Sequence, residues 1–152
     1  MLAARAAAEL LFDLLFECLP ALLERGRRSF VDRFWNEDRG YLADVVDVDH
    51  QPGTVDESFR PNQLFALGGL PLSLVEGDAA RRIVDAVESR LLTPLGPRSL
   101  APCSPDNSPR CEGGVAERDG AYHQGTVWPW LMGAFVEAWL LVRGNSAAAK
   151  QE

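Results

Sequence analysis

The sequence has few of the residues that mark metal, cofactor and thiol chemistry. It contains two histidines and three cysteines, Cys18, Cys103 and Cys111, with no Cys-x-x-Cys pair among them. Neither histidine has the spacing of a zinc motif, and glycine-rich phosphate or dinucleotide fingerprints are absent. We therefore predict no metal site and no cofactor.

Positive charge is also scarce. Fifteen Lys and Arg residues stand against 22 Asp and Glu residues, for a formal net charge of -7. Proteins that bind nucleic acids use clustered Lys and Arg side chains to neutralise phosphates. The composition therefore argues against a nucleic-acid partner.

Long apolar runs are missing as well. The N-terminal stretch MLAARAAAELLFDLLFECLP is interrupted by Glu9, Asp13 and Glu17, which a signal peptide would not carry. The longest uncharged run, residues 120–136, contains polar side chains and a proline and is a poor membrane span. We predict a soluble, cytoplasmic protein with no membrane partner. Free thiols are the expected state of its cysteines, although Cys103 and Cys111 are close enough in sequence to close a short bridge.

Apolar spacing predicts an all-α protein with about five helices, long loops and little sheet. Hydrophobic residues make up 47% of the chain and charged residues 24%, as in globular proteins. Three- and four-residue spacing, proline starts and glycine stops indicate the helix bounds. The predicted helices are residues 3–19 ended by Pro20, residues 21–35, a short helix from Pro61 to near Gly68, residues 79–92 capped by Asp78, and a buried helix from after Pro129 to Gly144.

Residues 1–144 are predicted to form one domain, and residues 145–152 a disordered tail. The clearest helical pattern lies in residues 79–92, where small and aliphatic residues share one face. These residues are Ala80, Ile83, Val84, Val87 and Leu91. They predict a core-facing stripe.

Two stretches, ESFRPNQLFA (57–66) and RDGAYHQGTVWPW (118–130), combine polar and aromatic side chains. Sugars present hydroxyl groups and weakly apolar faces, which proteins bind with polar side chains and aromatic rings. For Trp128 and Trp130, packing in the core is an equal alternative to sugar binding. For Arg60, Asn62 and Gln63, loop and helix capping is a further alternative. The candidate sugar-binding residues are Arg60, Asn62, Gln63, Arg118, Asp119, His123, Gln124, Trp128 and Trp130.

Hydrolysis of a glycosidic bond would need two carboxyl groups on either side of that bond. Several carboxylates are available, but sequence spacing pairs none of them. They include Asp44, Asp47, Glu57, Glu117, Asp119 and Glu137. The sequence therefore supports sugar binding better than hydrolysis, and no catalytic residue is assigned.

Four segments, in this order, resemble the C-terminal catalytic region of bacterial-type glycogen debranching enzymes, the amylo-α-1,6-glucosidase family. They are FWNEDRGYLADVVD (34–47), RPNQLFAL (60–67), IVDAVESRLLTPLGPRSLAP (83–102) and RDGAYHQGTVWPWLMGAFVEA (118–138). The resemblance implies an (α/α)6 toroid of six helical hairpins and hydrolysis of α-1,6-linked glucose at glycogen branch stubs. It also implies that the nine candidate residues line or support the sugar pocket, with Trp128 and Trp130 partly as scaffold.

The chain departs from this family in two motifs. The Thr-Trp-Met-Asp-Ala type, associated with the general acid, and the Glu-Ile-Phe-Asp-Gly type, associated with the general base, do not occur in the sequence. We therefore expect part of a toroid that binds α-glucan without its own acid and base, with a second polypeptide supplying the missing part. The alternatives are a non-catalytic α-glucan-binding or vestigial module, and a related six-hairpin glucosidase.

Overall fold

The computed structural model describes the backbone of residues 2–144 and the side chains of residue 16 and residues 18–144. The predicted tail, residues 145–152, lies outside the described residues. The chain divides into two units, with the boundary between Arg33 and Phe34. Each unit is described below by itself.

Helix α1, Leu2–Phe34, supplies the described part of the first unit up to Arg33, and it continues through Pro20. The prediction of two helices separated at Pro20 is therefore wrong. Proline lacks one backbone donor, but the Leu, Ala, Glu and Arg residues around it favour helix and keep the chain helical on both sides. One turn later, Glu24 forms ion pairs with Arg27 at 3.1 Å and with Arg28 at 3.5 Å.

Three hairpins of two-residue strands make up the small amount of sheet in the described residues. Trp35, expected at the end of a helix, instead begins the first strand. The antiparallel pairs are β1 (Trp35–Asn36) with β2 (Tyr41–Leu42), β3 (Val45–Val46) with β4 (Val55–Asp56), and β5 (Leu92–Thr93) with β6 (Gly96–Pro97).

Helices are the main regular elements in the rest of the second unit, which is consistent with the predicted all-α class. The helices are a 3-10 turn at Val48–His50, a 3-10 helix at Pro61–Ala66, α2 (Gly77–Arg90), α3 (Val115–Tyr122), a 3-10 turn at Pro129–Leu131, and α4 (Met132–Arg143). No helix in this described part of the chain, α1 included, is long and apolar enough to cross a membrane.

Three details of the helix predictions are corrected. Glu76 occupies the N-cap position of α2, and Asp78 lies inside the first turn, where its carboxylate pairs with Arg81 instead of capping. The segment that begins at Pro61 is a 3-10 helix. Helix α3 was not predicted, because Gly120 lowers the helix propensity of that segment.

Helix α2 packs against α4, β2 and the 3-10 helix Pro61–Ala66. Its predicted stripe is confirmed, since Ala80, Ile83, Val84, Val87 and Leu91 are all buried. Burial of these side chains supplies the main apolar contact of the second unit.

Helix α4 was predicted to be a buried helix, and the structure shows that only one face of it is buried. Ala134, Phe135 and Ala138 are buried, whereas Val136 and Leu141 are exposed. The buried face packs against α2 and the 3-10 helix Pro61–Ala66, and packing against one side covers only one stripe of a helix.

Candidate functional site

The Arg60 side chain joins three distant parts of the second unit. Its backbone is extended because Pro61 follows, and the 3-10 helix then begins. The guanidinium pairs with Asp44 Oδ2 at 3.2 Å and donates to the Ser99 carbonyl at 3.2 Å and to Gln124 Oε1 at 2.9 Å. It also donates to the His123 carbonyl. We call Arg60, Asp44, Asn62, Ser99 and Gln124 the Arg60 cluster.

Asp44 lies between two donors of this cluster. Its Oδ1 accepts a hydrogen bond from Asn62 Nδ2 at 3.2 Å, while Oδ2 faces Arg60. The side chain is 15% exposed. Burial raises the pKa of Asp44, and this effect outweighs the hydrogen bond from Asn62 and the charge of Arg60, which favour the carboxylate. Asp44 is thus a half-buried carboxylate held by neighbouring polar groups.

A second carboxylate, Asp56, lies across the β3–β4 hairpin from Asp44, whose N–H donates to the Asp56 carbonyl at 2.9 Å. Hydrogen bonds from Ser58 lower the pKa of Asp56. The two carboxyl groups are therefore shifted in opposite directions by their surroundings. Sequence reasoning noted Asp44 as an available carboxylate but did not place it in the site. The signal was its position inside the segment YLADVVD, which forms part of the family resemblance.

Gln63 is buried and holds the backbone around Arg60. Its Oε1 accepts from the Leu42 N–H at 3.4 Å, and its Nε2 donates to the Arg60 carbonyl at 2.9 Å. The side chain is 8% exposed. Gln63 therefore links β2 to the start of the 3-10 helix.

Ser99 was missed in the sequence and belongs to the cluster. It is fully buried, its hydroxyl donates to the Tyr122 carbonyl at 3.2 Å, and its Oγ accepts from the Gly125 N–H at 2.9 Å. Gly125 has a φ of 117°, a conformation that favours glycine. The loop after β6 is in this way tied to the segment that follows α3. No local pattern around Ser99 marks this role, because its partners are more than 20 residues away.

Aromatic rings form a continuous row beside the cluster. Trp128 is 6% exposed, and its Nε1 donates to the Tyr122 carbonyl at 3.1 Å. The His123 ring meets the Trp128 ring edge-on at 5.0 Å. Trp130 lies 5.4 Å from Trp128 and stacks on Phe65 at 6.3 Å. Because Trp130 is 58% exposed, the row runs from the buried interior to the surface.

Arg118 and Asp119 lie on α3 and are exposed. Arg118 donates to the Gly113 carbonyl at 2.7 Å, so it closes the start of its own helix. Within the described residues, neither side chain contacts the Arg60 cluster through a hydrogen bond or ion pair. Asp119 precedes His123 by one helical turn, which places the two on the same side of the helix end.

The structure thus separates the nine predicted residues by environment. Asn62, His123 and Trp130 are exposed, and Gln124 is half-buried. Gln63 and Trp128 are buried parts of the scaffold.

In the residues that the structure describes, no group of three or more His, Cys, Asp or Glu side chains could hold a metal ion. All three cysteines are free and exposed. The Arg60 cluster offers groups that can form hydrogen bonds with hydroxyls, and the aromatic row beside it offers rings that can stack.

A family model described as amylo-alpha-1,6-glucosidase matches residues 15–152. No curated protein matches the chain. The matched range includes every residue of the Arg60 cluster and of the aromatic row.

Proposed function

The chain belongs to the amylo-alpha-1,6-glucosidase family, and from this premise we propose that its Arg60 cluster binds α-glucan in glycogen debranching. The observation that carries the proposal is the Arg60 guanidinium. It gathers Asp44 and the adjacent residues His123 and Gln124 at one place, although Asp44 lies far from that pair in sequence. Binding sites for small polar ligands consist of a few such convergent groups.

Three polar groups of this region are suited to bond sugar hydroxyls. The Asn62 Oδ1 is an acceptor, the Gln124 Nε2 is a donor, and the His123 ring supplies one of each when neutral. Within the described residues, none of these atoms is used in a hydrogen bond, whereas the opposite ends of both amides are held by Asp44 and Arg60. A hydroxyl group both donates and accepts, so this mixture suits a polyol better than an anion.

We propose that the helices of this chain form part of an (α/α)6 toroid in a cytoplasmic enzyme, with a second polypeptide supplying the remaining hairpins. The helix-rich second unit is consistent with that architecture. The Arg60 cluster joins the start of the 3-10 helix Pro61–Ala66 to the end of α3, and this supports the proposal because such a toroid would carry its pocket at the helix ends.

Within this proposal Asp44 positions other groups and does not react with the substrate. A glycosidase uses two carboxyl groups directed at one bond. Both oxygens of Asp44 are instead directed at Arg60 and Asn62. We therefore assign Asp44 to substrate binding, and the acid and the base would come from the remaining hairpins of the proposed toroid.

Calorimetric titration of the purified chain with maltotriose tests the binding role. Loss of one sugar hydrogen bond costs about 1 to 1.5 kcal/mol, so Asn62→Ala and Gln124→Ala should each weaken binding roughly tenfold. Gln51→Ala is the matched control, because Gln51 is an exposed amide in the β3–β4 turn. Equal affinity in all four proteins would contradict the proposal.

Glucose release from a phosphorylase limit dextrin tests the absence of hydrolysis. The purified chain should release no glucose, while a complete debranching enzyme in the same assay should. Release that is lost in Asp44→Asn or in Asp119→Asn, and kept in Gln51→Ala, would show that this chain carries a catalytic carboxylate.

A further inference from the structure

The 3-10 helix Pro61–Ala66 presents a polar and an aromatic side chain on the same edge. Residues three apart eclipse in a 3-10 helix, so Asn62 and Phe65 lie one above the other. Asn62 is exposed and Phe65 is half-buried. The other four residues of the helix, Pro61, Gln63, Leu64 and Ala66, are buried. The solvent-facing edge of this helix therefore runs from the Arg60 cluster directly to an aromatic ring.

Trp130 extends this edge. Its ring stacks on Phe65 with an interplanar angle of 25°, and it also lies against Trp128. Trp128 is in turn fixed by its hydrogen bond to the Tyr122 carbonyl. Pro129, between the two tryptophans, restricts the backbone that carries Trp130. The Trp130 ring is thus held from the protein side.

More than half of the Trp130 side chain remains exposed. Leaving a large aromatic side chain in water forgoes the free energy of its burial, so its exposure beside polar groups marks a candidate contact surface. A rigid, exposed indole next to hydroxyl-binding groups is typical of a surface that stacks on a sugar ring, since such a ring has one apolar C–H face.

We propose that Phe65 and Trp130 form a stacking surface for a second sugar ring of the bound glucan. This inference depends on the proposed function, because the first ring is the one whose hydroxyls the Arg60 cluster binds. The polar edge at Asn62 and the aromatic edge at Phe65 are one 3-10 turn apart, a rise of about 6 Å. The site therefore selects glucans of two or more units over free glucose, and the indole supplies that selection.

The test compares affinities for glucose and maltose, measured by calorimetric titration. The wild-type chain should bind maltose about tenfold more tightly than glucose, which is the gain expected from one aromatic contact. Trp130→Ala should lower the affinity for maltose so that the two affinities agree within about twofold. Trp130→Phe should keep most of the preference, because it restores an aromatic face.

Leu95→Ala is the control, since Leu95 is an exposed apolar residue in the turn between β5 and β6. It should leave the preference for maltose intact. Circular dichroism of each variant establishes that the chain is folded.

Three results would overturn the inference. A preference for maltose that survives Trp130→Ala would place the second ring elsewhere, while leaving the proposed function standing. An equal loss for both sugars would assign Trp130 to the first ring. A wild-type chain that binds neither sugar would overturn both proposals, and the exposed aromatic edge would then be a contact surface for protein.

Discussion

Replacing Arg60 with methionine is the most direct test of the Arg60 cluster. Methionine keeps most of the apolar stem but removes an ion pair to Asp44 and hydrogen bonds to Ser99, His123 and Gln124. The Arg60 side chain is 17% exposed, and the Asp44 carboxylate would lose its counterion at 15% exposure. Removing one partner of a buried pair costs about 3 to 5 kcal/mol. Because neither side chain is fully buried, we expect the lower end, about 3 kcal/mol of unfolding free energy.

Urea unfolding followed by circular dichroism measures this loss. Arg118→Met is the matched control, because Arg118 is exposed and its guanidinium, within the described residues, donates to the Gly113 carbonyl alone. Surface substitutions of that kind change the free energy of unfolding by about 0.5 kcal/mol or less. Arg60→Lys should fall between the two, since lysine keeps the charge but lacks the planar fork that reaches several acceptors.

An Arg60→Met variant as stable as Arg118→Met would refute the view that Arg60 organises the site. A double-mutant cycle with Asp44→Asn sharpens the test. Groups in direct contact show coupling energies of about 0.5 to 3 kcal/mol. Additive effects of the two substitutions would mean that the ion pair contributes nothing in solution.

Three further predictions concern stability. Burial raises the pKa of Asp44 above its ordinary value of 3.8, so the stability that this carboxyl contributes is present below that pH and is lost as pH rises through the folded-state pKa. Urea unfolding at pH values from 3.8 upward should show the wild type losing free energy of unfolding relative to Asp44→Asn. A difference between the two proteins that does not change with pH would argue against a raised pKa of Asp44. Gly68→Ala should lower the free energy of unfolding in urea by about 1 to 3 kcal/mol, because the new Cβ would lie 2.7 Å from two backbone atoms of α4. Gly133→Ala should raise it by about 0.5 to 1 kcal/mol, because a Cβ there meets nothing within 4 Å. Equal effects of the two would contradict the close packing. Trp128→Phe should lose about 1 to 3 kcal/mol in thermal or urea unfolding by leaving the Tyr122 carbonyl without its indole donor, and an unchanged stability would show that this bond contributes nothing.

The sequence alone determined the features that depend on neighbouring residues. The spacing of Ile83, Val84 and Val87 specifies the buried face of α2, because a helix brings residues three and four apart to one side. Gly144 marks the end of α4 for a similarly local reason, since glycine adopts the positive φ found there. The two polar and aromatic stretches were recognised as a candidate site because their composition is unusual over a short length.

Only the tertiary structure decided which of those residues meet. Arg60 and Gln124 are 64 positions apart, and their contact arises because the start of the 3-10 helix packs beside the segment after α3. The same packing brings in Asp44, and it buries Trp128 while leaving Trp130 exposed. Sequence patterns report only spacing along the chain. The partners of a charged group and the exposure of an aromatic ring are set by segments that approach from elsewhere, so they depend on how the helices and hairpins pack.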